Sequence, residues 1–322
     1  MTAASPHFRT ASDFYKSLFG CKVYKISLDA GCTCPTRDGT LGTKGCIFCS
    51  AGGSGEFAAS RTKSISAQAA DAIALVSKKA HGRSGTSPAK YIAYFQNFTN
   101  TYGDHDALEK KYRMALAVPD VVGISIATRP DCLDSDMVQR IARLSRETFV
   151  QLEFGLQTVK DDSITYIRRG YETPVYDDAI ARIKAAAIPA QATFSAPTGL
   201  HVVTHVIFGL PGETENDMLK TVHHAVAAGT DGIKFTVLFV LSGTDLAADY
   251  RAGKFACLGE EEYFSLLAKA IAILPPNMVI HRLTGDGPKK LLIAPLWTAN
   301  KRKVQNDLVS YFNIQTYSKS VE

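Results

Sequence analysis

The chain has 322 residues, 46% of them hydrophobic and 21% charged, enough apolar content for one large core or two modest ones and too much for a disordered body. No window approaches a membrane-spanning apolar run, and the N-terminus lacks the basic start and apolar stretch of a secretory signal, so no membrane association and a cytoplasmic location are expected. The formal net charge of +5 permits a polyanionic partner without demanding one.

In chain order, residues 1–20 are expected to form an irregular N-terminal tail. KVYKISLDA reads as a first strand that runs straight into CTCPTRDGTLGTKGCIFC. The Gly-, Ala- and Ser-rich stretch from Ala51 to Arg61 reads as a loop, SAQAADAIALVSKKA as a helix, and HGRSGTSP as the end of that helix. Strand and helix then alternate. The strands are KYIAYF, VVGISIA, FVQLEFG, HVVTHVIFG and GIKFTVLFV, with a short seventh in MVIHRL; helices follow Asp106, Asp134, both sides of Tyr171, Thr214 and Glu260. Six βα units of this kind argue for a parallel sheet or barrel rather than a sandwich.

Side-chain alternation sharpens the expectation. Gln151 and Glu153 share one face of their strand, His201 and His205 one face of the next, and Lys234 and Thr236 one face of the next again. A flat sheet covered on both faces should be apolar on both, so a curved sheet around a polar cavity fits better. Thr214 and Asp217 form a capping box ahead of a helix whose stripe of Met218, Val222, Ala225 and Val226 belongs to the core. The tail LWTANKRKVQNDLVSYF reads as a loop and a short basic amphipathic helix.

Four of the seven cysteines fall between Cys32 and Cys49; Cys21, Cys132 and Cys257 are scattered and read as ordinary buried thiols. Cys46 and Cys49 form a CxxC turn at the end of a long loop, not at a helix start as a thioredoxin-like pair would require. Cys34 is followed by a proline, and Gly39, Gly42 and Gly45 let the loop fold back so that Cys34 reaches the pair. In an extended segment Cys32 points the same way as Cys34 and is a rival ligand. Local spacing leaves two options open, a tetrahedral zinc on four thiolates or an iron–sulfur cluster on four or three.

The loop CPTRDGTLGTKGCIFC resembles the opening motif of the YhcC family of the radical S-adenosylmethionine superfamily. The resemblance continues in order through YFQNFTNTY, GISIATRPDCL, LEFGLQT, HVIFGLPGET, DGIKFTVLFVLSGTDLA and VIHRLTGDGP, from about Tyr15 to Trp297. More distantly the chain is similar to the radical domain of the Elongator catalytic subunit family. This resemblance implies an α/β fold, a partial (βα)6 radical-SAM barrel with a short C-terminal strand and helix extension. The implied divisions are a tail at 1–20, the barrel core at 21–250 and an extension closing the barrel at 251–322.

It further implies a [4Fe-4S] cluster on Cys34, Cys46 and Cys49, with one iron left open for S-adenosyl-L-methionine and Phe48 packed beside the cofactor. Arg37 and Lys44 are either positive charges near the cluster or parts of a solvated loop. The chain departs from the family's pattern at Cys32 and Thr36, and Cys32 is read as an inert loop thiol because a fourth thiolate would close the iron. Gln96, Asn97, Glu153, Gln157 and the GLPG turn with Gly209, Pro211 and Gly212 are the expected cofactor-binding residues; for Glu153 the alternative is a structural ion pair with Lys234 or Arg129. Lys234, His205 and Arg129 are the expected catalytic residues, and His281, Arg282 and Asp286 either close the pocket or hold a substrate anion.

The implied reaction is reductive cleavage of the cofactor to a 5′-deoxyadenosyl radical that modifies the carbon-5 side chain of a tRNA wobble uridine. The expected partners are tRNA, approached through Lys289, Lys290, Lys301, Arg302 and Lys303, and a reducing electron donor such as flavodoxin or ferredoxin. The alternatives are a radical enzyme acting on a small metabolite or peptide, and a zinc-stabilised α/β binding protein.

Overall fold

A computed structural model describes residues 8–53, 58, 60–80, 89–191, 196–285 and 287–319. Asp286, all of HGRSGTSP and part of the loop from Ala51 to Arg61 lie outside the described residues. In chain order the first elements are β1 (Arg9–Thr10), α1 (Ala11–Phe19), β2 (Val23–Leu28), α2 (Ile65–Ala80), β3 (Lys90–Phe95), α3 (His105–Leu116), β4 (Val121–Thr128), α4 (Ser135–Glu147) and β5 (Phe149–Gln157). They are followed by α5 (Asp161–Tyr166), α6 (Thr173–Ala186), β6 (Gly199–Phe208), α7 (Glu215–Ala227), β7 (Gly232–Val237), β8 (Val240–Leu241), α8 (Asp245–Arg251), α9 (Glu260–Ile273), β9 (Val279–Arg282), β10 (Leu292–Ala294) and α10 (Lys301–Lys319).

Eight strands form one sheet in the order β1-β9-β7-β6-β5-β4-β3-β2, with every pairing parallel. Helices follow the strands because parallel neighbours need a crossover. The sheet curls into a half-barrel. Its outer face carries Leu152, Phe154, Val202, Phe208 and Phe235, which pack with Ile141, Tyr176, Val222 and Tyr263 of the covering helices in one continuous core. The helix starts are fixed locally: Asp104 accepts from the Ala107 amide, Asp134 from that of Met137, and Thr214 and Asp217 complete the expected capping box.

Two features differ from the sequence expectation. The described residues before Gly20 are not irregular but form β1 and α1. β1 adds to the edge of β9, and α1 begins with a capping box between Thr10 and Asp13 and buries Phe14 and Tyr15. Those rings close the lower end of the barrel, Phe14 stacking on His201 at 4.4 Å and the Tyr15 hydroxyl donating to Gln151 Oε1 at 2.7 Å. Second, GIKFTVLFV is not one strand. β7 stops at Val237, and β8 pairs antiparallel with β10 as a separate ribbon above the barrel. Among the described residues no helix is long and apolar enough to cross a membrane.

Because α1 is a plug and not a tail, Phe14→Ala should lower the free energy of unfolding by about 3–4 kcal/mol, measured by urea denaturation. A neutral effect would mean that the barrel closes without it.

Candidate active site

The C-terminal ends of the strands surround a cavity of about 270 Å³. Cys34, Cys46 and Cys49 all line it, beside Phe48. The loop that carries them has no helix and holds itself through backbone and guanidinium bonds. The Arg37 amide donates to the Cys34 carbonyl, the Gly45 amide to that of Thr36, and the Cys49 amide to that of Cys46. Arg37 then reaches across the turn, its Nη2 donating to the Cys49 carbonyl at 2.9 Å and the Ser50 carbonyl at 2.7 Å. Gly45, at φ 70°, permits this crossing: a Cβ there would lie 2.7 Å from Arg37 Nε. Arg37 is thus a brace of the loop, while Lys44 is exposed.

Cys34 Sγ lies 3.0 Å from Thr99 Oγ1. Burial pushes the Cys46 thiol up to about 12 and raises that of Cys34, so these groups ionise when a metal takes the proton's place. Among the described residues no three His, Cys, Asp or Glu side chains converge closely enough to hold a single ion. One tetrahedral zinc would require such convergence, whereas a cluster spreads three thiolates over separate irons, so this donor set fits a cluster better. Cys32 does not line the cavity. It is buried in the main core behind the loop, and burial lifts its thiol to about 11.

Two guanidiniums face the cysteines across an aromatic ring. Tyr171 lies between Arg129 at 5.0 Å and Arg169 at 4.4 Å, and all three line the cavity. Arg129 makes a bidentate pair with Asp131, Nε at 2.9 Å and Nη2 at 2.7 Å. Burial alone would lower its basicity, but the Asp131 carboxylate reverses that and keeps it charged. Arg169 spends its donors on the carbonyls of Leu156, Thr158 and Tyr171.

Below this layer the barrel interior converges on Glu153. One oxygen accepts from Lys25 Nζ at 2.6 Å, Gln151 Nε2 at 2.6 Å and Ser125 Oγ at 2.7 Å. The other accepts from the Tyr94 hydroxyl at 2.9 Å, His205 Nε2 at 2.8 Å and Lys234 Nζ. Burial opposes the charge, yet Lys234, Lys25 and His205 outweigh it and hold the carboxyl well below its ordinary range. Burial also drives Lys234 well below the usual lysine value, with Lys25 and Arg282 adding repulsion that Glu153 offsets. Tyr94 separates the two ammoniums, which lie 4.6 and 4.7 Å from its ring centre. His205, depressed to about 4 by burial and then by Lys234, is neutral and donates through Nε2. Beneath it His201 and His281 share a 2.8 Å bond between their Nε2 atoms, so one donates and the other accepts.

The expected site residues therefore divide. Gln96, Glu153, Gln157, His205 and Arg129 line the cavity with the three cysteines. Lys234 stands behind Glu153 as its buried ion partner, and Arg129 pairs with Asp131 and not with Glu153. Asn97 turns away and donates to Asp29 at 2.9 Å. Gly209, Pro211 and Gly212 are not among the lining residues; the Gly209 amide donates to Met218 Sδ, and a Cβ at Gly209 would lie 3.0 Å from Leu258 Cγ. Sequence reasoning missed Lys25, Tyr94, Arg169 and Tyr171. The alternation of Lys25 with Ser27 in β2 was a usable signal for the first; Arg169 and Tyr171 sit in a turn, where no periodicity marks them.

Residues 39–225 match the radical SAM superfamily and residues 230–313 the radical SAM C-terminal domain. The chain is 39% identical over 297 residues to YtqA of Bacillus subtilis, covering 92% of this chain and 87% of that protein. It is 31% identical over 296 residues to YhcC of Escherichia coli, covering 92% and 89%. Elongator complex protein 3 of Schizosaccharomyces pombe is 30% identical over 187 residues, 57% of this chain but only 31% of that protein. Among solved structures the fold is similar to an archaeal Methanocaldococcus infernus Elp3 with its N-terminus deleted, with a TM-score of 0.62 and 16% identity; the match covers 93% of this chain and 64% of that one, so the chain spans less than two thirds of it.

Two outcomes follow from this geometry. After anaerobic reconstitution, Cys34→Ala, Cys46→Ala and Cys49→Ala should each lose most bound iron and sulfide, whereas Cys32→Ala should retain both; iron loss in the last would make Cys32 a ligand. For pH, the depressed values of His201 and His205 mean that the unfolded chain takes up their protons first. Their contribution is complete above 6.5 and is lost as pH falls to about 4, while that of Glu153 is lost below 4.5. The urea midpoint of the wild type should fall across the first window, and the His201→Gln, His205→Gln double variant should flatten that fall.

Proposed function

Since the chain belongs to the radical S-adenosylmethionine superfamily and is an enzyme using a [4Fe-4S] cluster and S-adenosylmethionine, we propose that it modifies the carbon-5 side chain of a tRNA wobble uridine, by oxidative loss of a carboxymethyl group from carboxymethylaminomethyl-uridine, with S-adenosylmethionine as the net two-electron oxidant, ending as methionine and 5′-deoxyadenosine, and the group leaving as glyoxylate after water hydrolyses the oxidised carbon–nitrogen bond. When bound, cluster and cofactor together supply a 5′-deoxyadenosyl radical that takes a hydrogen atom from the substrate. Cys34, Cys46 and Cys49 hold the cluster, and Arg37 fixes the turn that presents two of them. Arg129 and Arg169, packed on the Tyr171 ring, place positive charge beside the thiolates, and Phe48 and Phe98 exclude water from the same wall. Gln96 and Gln157 offer amide groups to the cofactor's polar atoms, and His205 presents its ring to the substrate side while Lys234 sets its position through Glu153.

The observation that carries the substrate assignment is at the mouth of the cavity. Pro288 lines it, and the exposed Lys289 and Lys290 follow directly, so cations stand where a phosphate backbone would rest if one base entered. Sequence likeness to Elongator complex protein 3 supports the same reading. By contrast Lys303, in α10, is already paired with Glu260 and Asp307, which leaves it a weaker contact than proposed from sequence.

The test incubates reconstituted enzyme, a chemical reductant and S-adenosylmethionine with tRNA from cells lacking the gene, followed by nucleoside mass spectrometry. The expected result is 5′-deoxyadenosine formation that depends on tRNA and a wobble nucleoside lighter by the carboxymethyl group. Lys289→Glu with Lys290→Glu should raise KM for tRNA by about tenfold, with a smaller effect on kcat. Turnover that survives ribonuclease treatment would instead assign a small metabolite or peptide as substrate.

A further inference from the structure

Among the described residues, the barrel interior sets three basic side chains, Lys25, Lys234 and Arg282, around a single carboxylate. Glu153 is the one carboxylate, among the described residues, that touches Lys25 or Lys234. Arg282, in β9, meets none: its Nη2 donates to Thr236 Oγ1, its Nε is buried without a partner, and no described residue accepts from Nη1. The Arg282 charge opposes protonation of both lysines, so the three cations form one electrostatic group around a single anion.

The rest of the cavity does not supply the difference. Arg129 is matched by Asp131, and Arg169 is bonded to carbonyls. Cluster thiolates lie on the cysteine side. S-Adenosylmethionine carries a sulfonium beside its amino and carboxylate groups, so it brings no net negative charge. A buried cationic excess is costly until a counter-charge arrives. Lys25 and Lys234 stand behind Glu153 and Tyr94, whereas Arg282 and Thr236 line the cavity, on strands β9 and β7 toward the sheet edge opposite to β2 and its cysteine loop.

We propose that Arg282, with the Thr236 hydroxyl, is an anion-recognising subsite that takes a carboxylate or phosphate group of the substrate at the end of the cavity away from the cysteines. The inference rests on the reading that substrate enters this cavity, and it adds that the substrate is anionic near its reacting group. A guanidinium with open donors suits an oxyanion because it can meet two oxygens at once.

The test is equilibrium dialysis of the reconstituted holoenzyme against four probes: uridine, uridine 5′-monophosphate, carboxymethylaminomethyl-uridine and succinate. At least one of the two anion-bearing uridine probes should bind about tenfold more tightly than uridine; Arg282→Gln should remove that advantage, and Arg282→Lys, which cannot meet two oxygens at once, should keep only part of it. The nucleoside that carries the gain identifies phosphate or carboxylate as the recognised group. Succinate bound in an Arg282-dependent way, with no nucleoside bound, would uphold the anion subsite and overturn the uridine reading. The proposal is overturned if no anionic probe outbinds uridine and succinate is not held, or if Arg282→Gln keeps the preference. Circular dichroism and iron content verify folding; should Arg282→Gln not fold, Arg282→Lys and Thr236→Val carry the test, and anion affinity unchanged in both overturns it.

Discussion

The carboxylate of Glu153 is the constraint on which the barrel depends. Its donors come from β2, β3, β4, β5, β6 and β7, so one side chain ties together six of the eight strands of the sheet. A sheet left flat would keep Lys25 and Lys234, which lie on strands far apart in its order, out of reach of a common partner. Meeting at Glu153 therefore requires the curl, and the curl makes the cavity. Burying an ion pair is seldom a net gain over apolar packing, but an ion with every lone pair used specifies one arrangement. The strands can slide past one another only by leaving a buried charge unpartnered, which costs far more than the pair contributes.

That role also settles what Glu153 is free to do. With three donors on each oxygen, it has no lone pair left for the ammonium or ribose of a cofactor, although it lines the cavity. Its effect on the site is indirect. It holds Tyr94 and His205 at the floor and keeps His205 donating through Nε2, while Gln96, Gln157 and Arg129 line the cavity above it.

Much of this was legible in sequence where the information is periodic. The polar faces at Gln151, Glu153, His201, His205, Lys234 and Thr236 announced a curved sheet with a wet interior, and all six lie in the strands expected of them. What was not legible depends on partners distant in the chain. A two-residue strand such as β1 has too little pattern to read, and α1 earns its place by covering Phe149 and His201. The partners of Glu153, Lys25 to Lys234, are scattered along the chain, so its six-donor network has no local sequence signal; the ion pair with Lys234 is present, and Glu153 also lines the cavity. Gln96 and Asn97 follow β3 in a bend, where no alternation can be read; Gln96 lines the cavity, while the Asn97 amide donates to Asp29. The GLPG turn carries two positive-φ glycines, which also turn the chain into α7.

The cysteine loop and the barrel floor divide the cavity electrostatically. At the loop the cationic pair Arg129 and Arg169 faces thiols that become anionic only when metal is bound, so the charge there balances on loading. At the floor Glu153 is the one carboxylate, among the described residues, set beside Lys25 and Lys234, and Arg282 meets none, an arrangement that loading the cluster does not change. An electrostatic gradient therefore runs across the cavity in the loaded enzyme, from a balanced end at the cysteines to a positive end at β9. A substrate with one negative group would be oriented along that gradient before any specific contact forms, its anion toward Arg282 and the remainder toward the cluster. Orientation of this kind matters more than affinity for a radical reaction, because the hydrogen atom to be taken must be the one presented.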